Sequence, residues 1–189
     1  MTTIALPGDD LARFARACIV EELGGADAAR PSGVWARERH GTFVTLRWSS
    51  GRLQGCIGKI DPRGAVVDEV AEHAIAAATR DPRGARLSLG DTEDLDVELS
   101  ILSPTEPVAA ASEREALARI EPLVHGVVFE HGFRRATFLP AVWESLRDGR
   151  AFMGALKEKA GYPAAFWDDD VRIYVYTVNK HVDRARRPS

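Results

Sequence analysis

The sequence predicts an α+β fold: two related hairpin-helix-strand repeats with mixed sheets, preceded by an N-terminal helix. Three observations predict it. Apolar residues switch several times between a spacing near 3.6 and strict alternation. The order hairpin (42–60), helix (65–79), strand (95–102) is followed by hairpin (124–139), helix (150–160), strand (171–178). Hairpins and helices are segregated rather than strictly alternating, which favours α+β over a doubly wound sheet. The 189 residues read as a single domain, 1–189, with repeat one at about 42–103 and repeat two at about 113–178. An N-terminal helix at 9–23 and a polar tail at 180–189 flank the repeats. A chain of this length buries roughly 70% of its unfolded surface, so its core needs no disulfide or metal.

Each element has its own signal. Leu11, Phe14, Ala15, Cys18 and Ile19 recur at helical spacing after Asp9 or Asp10, and Gly24 stops the run. Residues 24–40 read as a loop. Val44, Leu46 and Trp48 alternate with Phe43, Thr45 and Arg47, Ser49-Ser50-Gly51 turns the chain, and Leu53 to Ile60 returns as the second strand. Val67, Val70, Ala71, Ala74, Ile75 and Ala78 form the stripe of a helix that ends before Asp81-Pro82. Leu95, Val97, Leu99 and Ile101 alternate with Asp96, Glu98 and Ser100 in a strand with one polar face. Ser112 and Glu115 have capping-box spacing and open a short helix through Ile120. Val124 to Phe129 and Phe133 to Leu139 form a hairpin around His131-Gly132, and Pro140 starts a helical turn over 142–146. Phe152, Leu156 and Ala160 mark a helix stopped by Gly161. Val171, Ile173, Val175 and Thr177 make the last strand.

Composition narrows the function classes. Hydrophobic residues are 45% and charged residues 28%, the balance of a soluble globular protein. The net charge of −3 lacks the basic excess of a nucleic-acid binder. No apolar run approaches the ~20 residues of a membrane span. Residues 1–8 have neither a basic start nor an apolar stretch, so they do not read as a signal peptide. Two cysteines without a Cys-x-x-Cys pair argue against a disulfide framework or structural zinc and fit reduced thiols in the cytoplasm. Phosphate-loop, dinucleotide and nucleophile-elbow motifs are missing from the sequence. No cofactor and no metal are expected.

The unusual segment is Leu53-Gln54-Gly55-Cys56-Ile57-Gly58. Glycine weakens a strand, so two of them around Cys56 point to a bulge or to close approach by backbone or ligand. Cys56 is the candidate nucleophile; its alternative is a small core residue. His125 is a candidate base for that thiol, with a strand histidine as the alternative. Asp96 and Glu98 share a polar strand face, so Glu98 is a second acid–base candidate. His40 and His131 read as plain loop or turn residues, and His73 as a boundary residue beside its helix stripe. Asp168-Asp169-Asp170 reads as a charged turn, and Lys180, Arg184, Arg186 and Arg187 as a basic tail.

These residues resemble the AMMECR family, from about Phe43 to Val178. Leu53 to Gly58 resembles the family signature Leu-Arg-Gly-Cys-Ile-Gly. Arg80-Asp81-Pro82, the strand from Leu95 to Pro104, Ala136-Thr137-Phe138-Leu139-Pro140 with Val142-Trp143-Glu144, and Leu156-Lys157 resemble further blocks in the same order. The resemblance implies two related repeats that exchange C-terminal strands. It also implies company: prokaryotic members are encoded beside, or fused to, a Memo-like protein and a radical S-adenosylmethionine enzyme. Two departures bear on roles. Gln54 stands where the family has arginine, which keeps a hydrogen bond and loses a charge. Similar prokaryotic sequences carry aspartate at the His125 position, which weakens a base role specific to histidine.

The expected function is therefore an enzyme, or enzyme component, of a modification pathway acting on a small molecule or a protein. Cys56 would be nucleophile or thiol carrier, His125 and Glu98 its acid–base partners, and Gln54, Gly55 and Gly58 the substrate contacts. The alternative is a non-catalytic scaffold that docks those partner proteins, by edge pairing of the glycine-rich strand.

Overall fold

The computed structural model describes residues 6–186. The expectations for residues 1–5 and for Arg187 lie outside the described residues. In chain order the elements are α1 (Gly8–Glu22), β1 (Thr42–Trp48), β2 (Leu53–Lys59), α2 (Val66–Thr79), β3 (Leu95–Leu102), β4 (Glu106–Val108), α3 (Glu113–Leu117), β5 (Gly126–His131), β6 (Arg134–Phe138), α4 (Gly149–Lys159), β7 (Arg172–Tyr176) and β8 (Val178–Asp183). Short 3₁₀ turns at Val34–Arg37, Gly90–Asp94 and Pro140–Glu144 punctuate the loops. No helix among the described residues is long and apolar enough to cross a membrane.

The described residues form two compact units: those up to 102 together with those from 179 onward, and residues 103–178. The first holds a sheet in the order β2-β1-β3-β8. Its core lies between that sheet and the two long helices. Leu11, Phe14, Ala15, Cys18 and Ile19 of α1, and Val66, Val67, Val70 and Ala74 of α2, pack with Val44, Leu46, Val97 and Leu99. Burying side chains of this kind contributes roughly 1.5–3 kcal/mol each. The strand residues on the opposite face, Phe43, Thr45, Arg47, Asp96, Glu98 and Ser100, are the polar or aromatic half of the alternation.

The second unit repeats the idea with a sheet ordered β4-β7-β5-β6. Val127, Phe129, Ala136 and Ile173 meet Phe152, Met153 and Leu156 of α4. Trp143 stacks on Phe152 at 3.7 Å between ring centroids. Lys157 is buried here and pairs with Glu113.

The α+β class holds, and every strand pairing with a described register is antiparallel rather than mixed. The expected strand 171–178 and polar tail are a second correction. The strand ends at Tyr176, and the chain continues as β8 beside β3 in the first sheet. Lys180 pairs with Glu98 and Arg184 with Asp96, so these two basic residues of the supposed tail are held in place. Helix α1 starts at Gly8 with Pro7 as its cap, so Asp9 and Asp10 lie in the first turn instead of preceding it. There their charges favour the positive end of the helix dipole. Gly24 takes φ +88°, the left-handed stop expected of it. Ser112 accepts the Glu115 N–H as foreseen, although α3 ends at Leu117, before Ile120.

Candidate functional site

Cys56 sits at the middle of β2, the edge strand of the first sheet. It is half-buried, whereas Cys18 is buried in the core. The free edge of β2 is closed by the segment after α2. Asp81 Oδ2 accepts the Cys56 N–H at 2.8 Å, and Arg83 Nη2 donates to the Cys56 carbonyl at 3.2 Å. Asp81 and Arg83 thus take the places that a neighbouring strand would fill. They are themselves joined: Arg83 Nη2 lies 2.6 Å from Asp81 Oδ2, and Arg83 Nε lies 2.9 Å from Oδ1. The guanidinium hydrogen bonds, with the Cys56 N–H, hold the Asp81 carboxyl well below the usual carboxylate range. The same contacts push Arg83 up.

Because the Cys56 backbone groups face outward, the pair Thr45↔Cys56 is of the narrow type, with Cα atoms about 4.5 Å apart and side chains close. The Thr45 hydroxyl donates to Cys56 Sγ at 3.1 Å. On the other flank of β1, Thr45 stands opposite Glu98. Glu98 Oε1 in turn meets Lys180 Nζ at 3.0 Å. Directly opposed residues share a face. Cys56, Thr45, Glu98 and Lys180 therefore form one transverse row, on the face away from α1 and α2.

The row brings together two of the residues singled out in the sequence, Cys56 and Glu98. It places the others differently. His125 belongs to the second unit. Its Nδ1 accepts the Glu121 N–H at 3.0 Å, and its carbonyl accepts Trp143 Nε1 at 3.0 Å, so it fastens the loop that enters β5. Gln54 is 0% exposed. Its Oε1 accepts Trp48 Nε1 at 3.0 Å and its Nε2 donates to the Ala85 carbonyl at 2.7 Å. These two bonds tie the loop after α2 to the end of β1. The close approaches at the glycines are made by the chain itself. A Cβ on Gly55 would stand 2.1 Å from the Ala77 carbonyl oxygen, and one on Gly58 2.3 Å from that of Thr42 and 2.4 Å from the Phe43 ring. Gly55 lets α2 lie against β2, and Gly58 lets Phe43 cross the strand.

Thr45, Asp81, Arg83 and Lys180 were not read as site residues. Asp81-Pro82 reads as a helix stop and, with Arg80, as a block of the family resemblance; an acid and a base two residues apart just beyond a helix, Asp81 and Arg83, are the available signal. Centring the turn at Ser49-Ser50-Gly51 would set Thr45 opposite Gly55; the register shift between Leu46 and Arg47 sets it opposite Cys56 instead, and the local sequence carries no signal for that shift. His131 is more than a turn residue, since its Nδ1 is 2.8 Å from the Tyr162 hydroxyl and its ring packs edge-on to Phe166. Among the described residues no group of three or more His, Cys, Asp or Glu side chains is arranged to hold a metal ion.

The family model described as AMMECR1 matches residues 12–181. A Thermotoga maritima protein is 39% identical over 156 residues, covering 82% of this chain and 84% of its own. A Methanothermobacter thermautotrophicus protein is 37% identical over 172 residues, covering 88% and 89%. The crystal structure of an uncharacterized protein from Pyrococcus horikoshii superposes with a TM-score of 0.80 at 30% identity, covering 96% of this chain and 94% of that one. A match over nearly the whole chain, in sequence and in fold, places the protein in the AMMECR1 family.

Proposed function

We propose that the protein is an enzyme, or an enzyme component, that works through the Cys56 thiol as nucleophile or thiol carrier. The observation that carries this reading is the Thr45 hydroxyl aimed at Cys56 Sγ at 3.1 Å. A hydroxyl donating to sulfur supplies the hydrogen bond that a thiolate accepts, and the thiolate is the reactive form. Asp81 and Arg83 fix the Cys56 backbone from the outer edge, so the direction of the Cα–Cβ bond is set before any substrate arrives. Glu98 stands one strand further along the row as the acid–base candidate, with Lys180 orienting its carboxylate.

The partners in this reading are those the family resemblance implies, a Memo-like protein and a radical S-adenosylmethionine enzyme, and the substrate is a small molecule or a protein. The scaffold alternative, edge pairing through β2, is disfavoured at Cys56. An incoming strand needs the N–H and C=O that Asp81 and Arg83 already hold.

Alkylation tests the reading. Burial pushes the Cys18 thiol up to about 11, with Glu21 adding to the effect, so Cys18 is silent near neutral pH. Iodoacetamide should label the folded protein once, at Cys56, faster than a free cysteine peptide at pH 7. Cys56→Ala should abolish pathway function while leaving the fold intact. Labelling only after unfolding, or full function in Cys56→Ala, rejects the thiol mechanism.

A further inference from the structure

The other cluster of buried titratable groups lies at the far end of the Cys56 strand. Glu69 and His73, one turn apart on α2, are 4% and 1% exposed. Glu69 Oε1 accepts the N–H groups of Arg63 and Gly64 at 2.8 and 2.9 Å, holding the turn that follows β2. Its Oε2 faces His73 Nε2 at 3.4 Å, and both atoms are buried without a hydrogen-bond partner. Lys59, the last residue of β2, approaches Glu69 Oε2 at 3.8 Å and Glu72 at 3.4 Å. The remaining ring nitrogen, His73 Nδ1, is 2.9 Å from the hydroxyl of Thr42, the first residue of β1.

Only one neutral tautomer suits this setting. With the proton on Nδ1, the Nε2 lone pair would face a carboxylate oxygen. With the proton on Nε2, the hydrogen lies on the side of Glu69 Oε2, close enough for attraction though not for a formed hydrogen bond, and the Thr42 hydroxyl donates to Nδ1. A second proton breaks the arrangement. Nδ1 then becomes a donor too, and the Thr42 hydroxyl, inside a fully buried residue, loses its acceptor. The imidazolium also draws the Glu69 carboxylate toward itself and repels Lys59.

We propose that Glu69 and His73 form a proton-responsive pin. It holds the turn 61–64 and the end of β2 while the imidazole is neutral, and it loosens them when the imidazole takes a second proton. The charged groups facing His73 are Glu69 and Glu72 on its own helix and Lys59 from β2. Burial pushes His73 below its ordinary value against the pull of Glu69. Burial acts to raise Glu69, but the Arg63 and Gly64 N–H groups and the charges of Lys59 and His73 bring it below its ordinary value.

Long-range nitrogen–proton NMR on the imidazole rings of the full chain tests this, with amide exchange followed from pH 7.5 to 4.5. The expected result is the Nε2–H tautomer at pH 7.5 and a titration below that of a free histidine. The protection of the Arg63 and Gly64 amides, measured against the intrinsic exchange rate at each pH, should fall at least tenfold across it. Thr42→Ser keeps the hydroxyl and should keep both signatures, while His73→Gln should remove the pH response. If His73→Gln does not fold, the wild-type titration decides alone. An Nδ1–H tautomer overturns the proposal. So does an imidazole still neutral at pH 4.5, or unchanged protection of the Arg63 and Gly64 amides while His73 titrates.

Discussion

Thr45 and Cys56 are cross-strand partners whose side chains meet, hydroxyl to sulfur, at 3.1 Å. The contact arises because the backbone groups of Cys56 face the outer edge, which draws the pair together. Thr45→Val keeps shape and β-branching but removes the donor. A hydrogen bond to a charged partner contributes about 1.5–3 kcal/mol, and each ~1.4 kcal/mol is about tenfold in rate. Alkylation of Cys56 should therefore slow about tenfold or more in Thr45→Val and remain near wild type in Thr45→Ser. Equal rates in all three proteins would show that the hydroxyl does not act on the sulfur.

Asp81 is the keystone of the edge. Its side chain is 2% exposed, while that of Arg83 is 58% exposed. Asp81→Asn removes the charge and turns one of two acceptors into a donor that faces the Cys56 N–H or Arg83. Arg83 can resolvate, so the expected loss is about 2 kcal/mol, at the level of one charged hydrogen bond. Since the folded carboxyl is held below its unfolded value of about 3.9, the stabilisation is fully present above that pH and fades as pH falls below it. Urea midpoints of wild type and Asp81→Asn should differ at pH 6 and converge toward pH 2. A gap that persists undiminished at pH 2 contradicts a role for the charge.

How much of this could be read beforehand depends on what stabilises each element. β3 at Leu95–Leu102 and the hairpin at 42–60 stood out because an apolar face against α1 and α2 imposes strict alternation. β8 did not. Its Val178-Asn179-Lys180-His181-Val182-Asp183 run has little apolar surface. It is anchored by contacts with distant residues such as Glu98 and Arg16. Local sequence does not record a partner some eighty positions away. His73 was missed for a related reason. A histidine beside an apolar stripe looks like a boundary residue unless its partners Thr42 and Glu69 are known. At the candidate site, Cys56 and its glycines were conspicuous, but the glycines signalled packing by the chain's own backbone. Only the register revealed Thr45.

The glycine reading has a direct test. A Cβ on Gly55 meets a backbone oxygen, that of Ala77, at 2.1 Å, and backbone cannot swing aside as a side-chain tip can. Overpacking of this kind costs about 1–3 kcal/mol or more. Gly55→Ala should lower the thermal midpoint by several degrees in the absence of any ligand, as expected for a chain of this size. An unchanged midpoint with altered function would return Gly55 to the role of a substrate contact.

Arg16 of α1 joins β8 to the rest of its unit. The residue is 8% exposed. It pairs with the Asp183 carboxylate and donates to the carbonyls of Thr92, Leu95 and Asp183 at 2.5, 2.7 and 2.9 Å. This one guanidinium connects the first helix, the start of β3 and the end of β8. Arg16→Met fills the volume but leaves a carboxylate and several carbonyls without their donor, which costs about 3–5 kcal/mol when the abandoned charge is buried. Asp183 is partly exposed, so the lower end is expected. Arg16→Lys keeps the charge but lacks the planar fork, and should recover only part of the loss. The double change Arg16→Met with Asp183→Leu separates the two contributions. If the abandoned carboxylate dominates, the double variant is more stable than Arg16→Met alone. If the main-chain carbonyls dominate, it is no better, and β8 is then held chiefly through its backbone. Denaturant midpoints of the four proteins distinguish these outcomes, and wild-type stability in Arg16→Met rules out the anchoring role altogether.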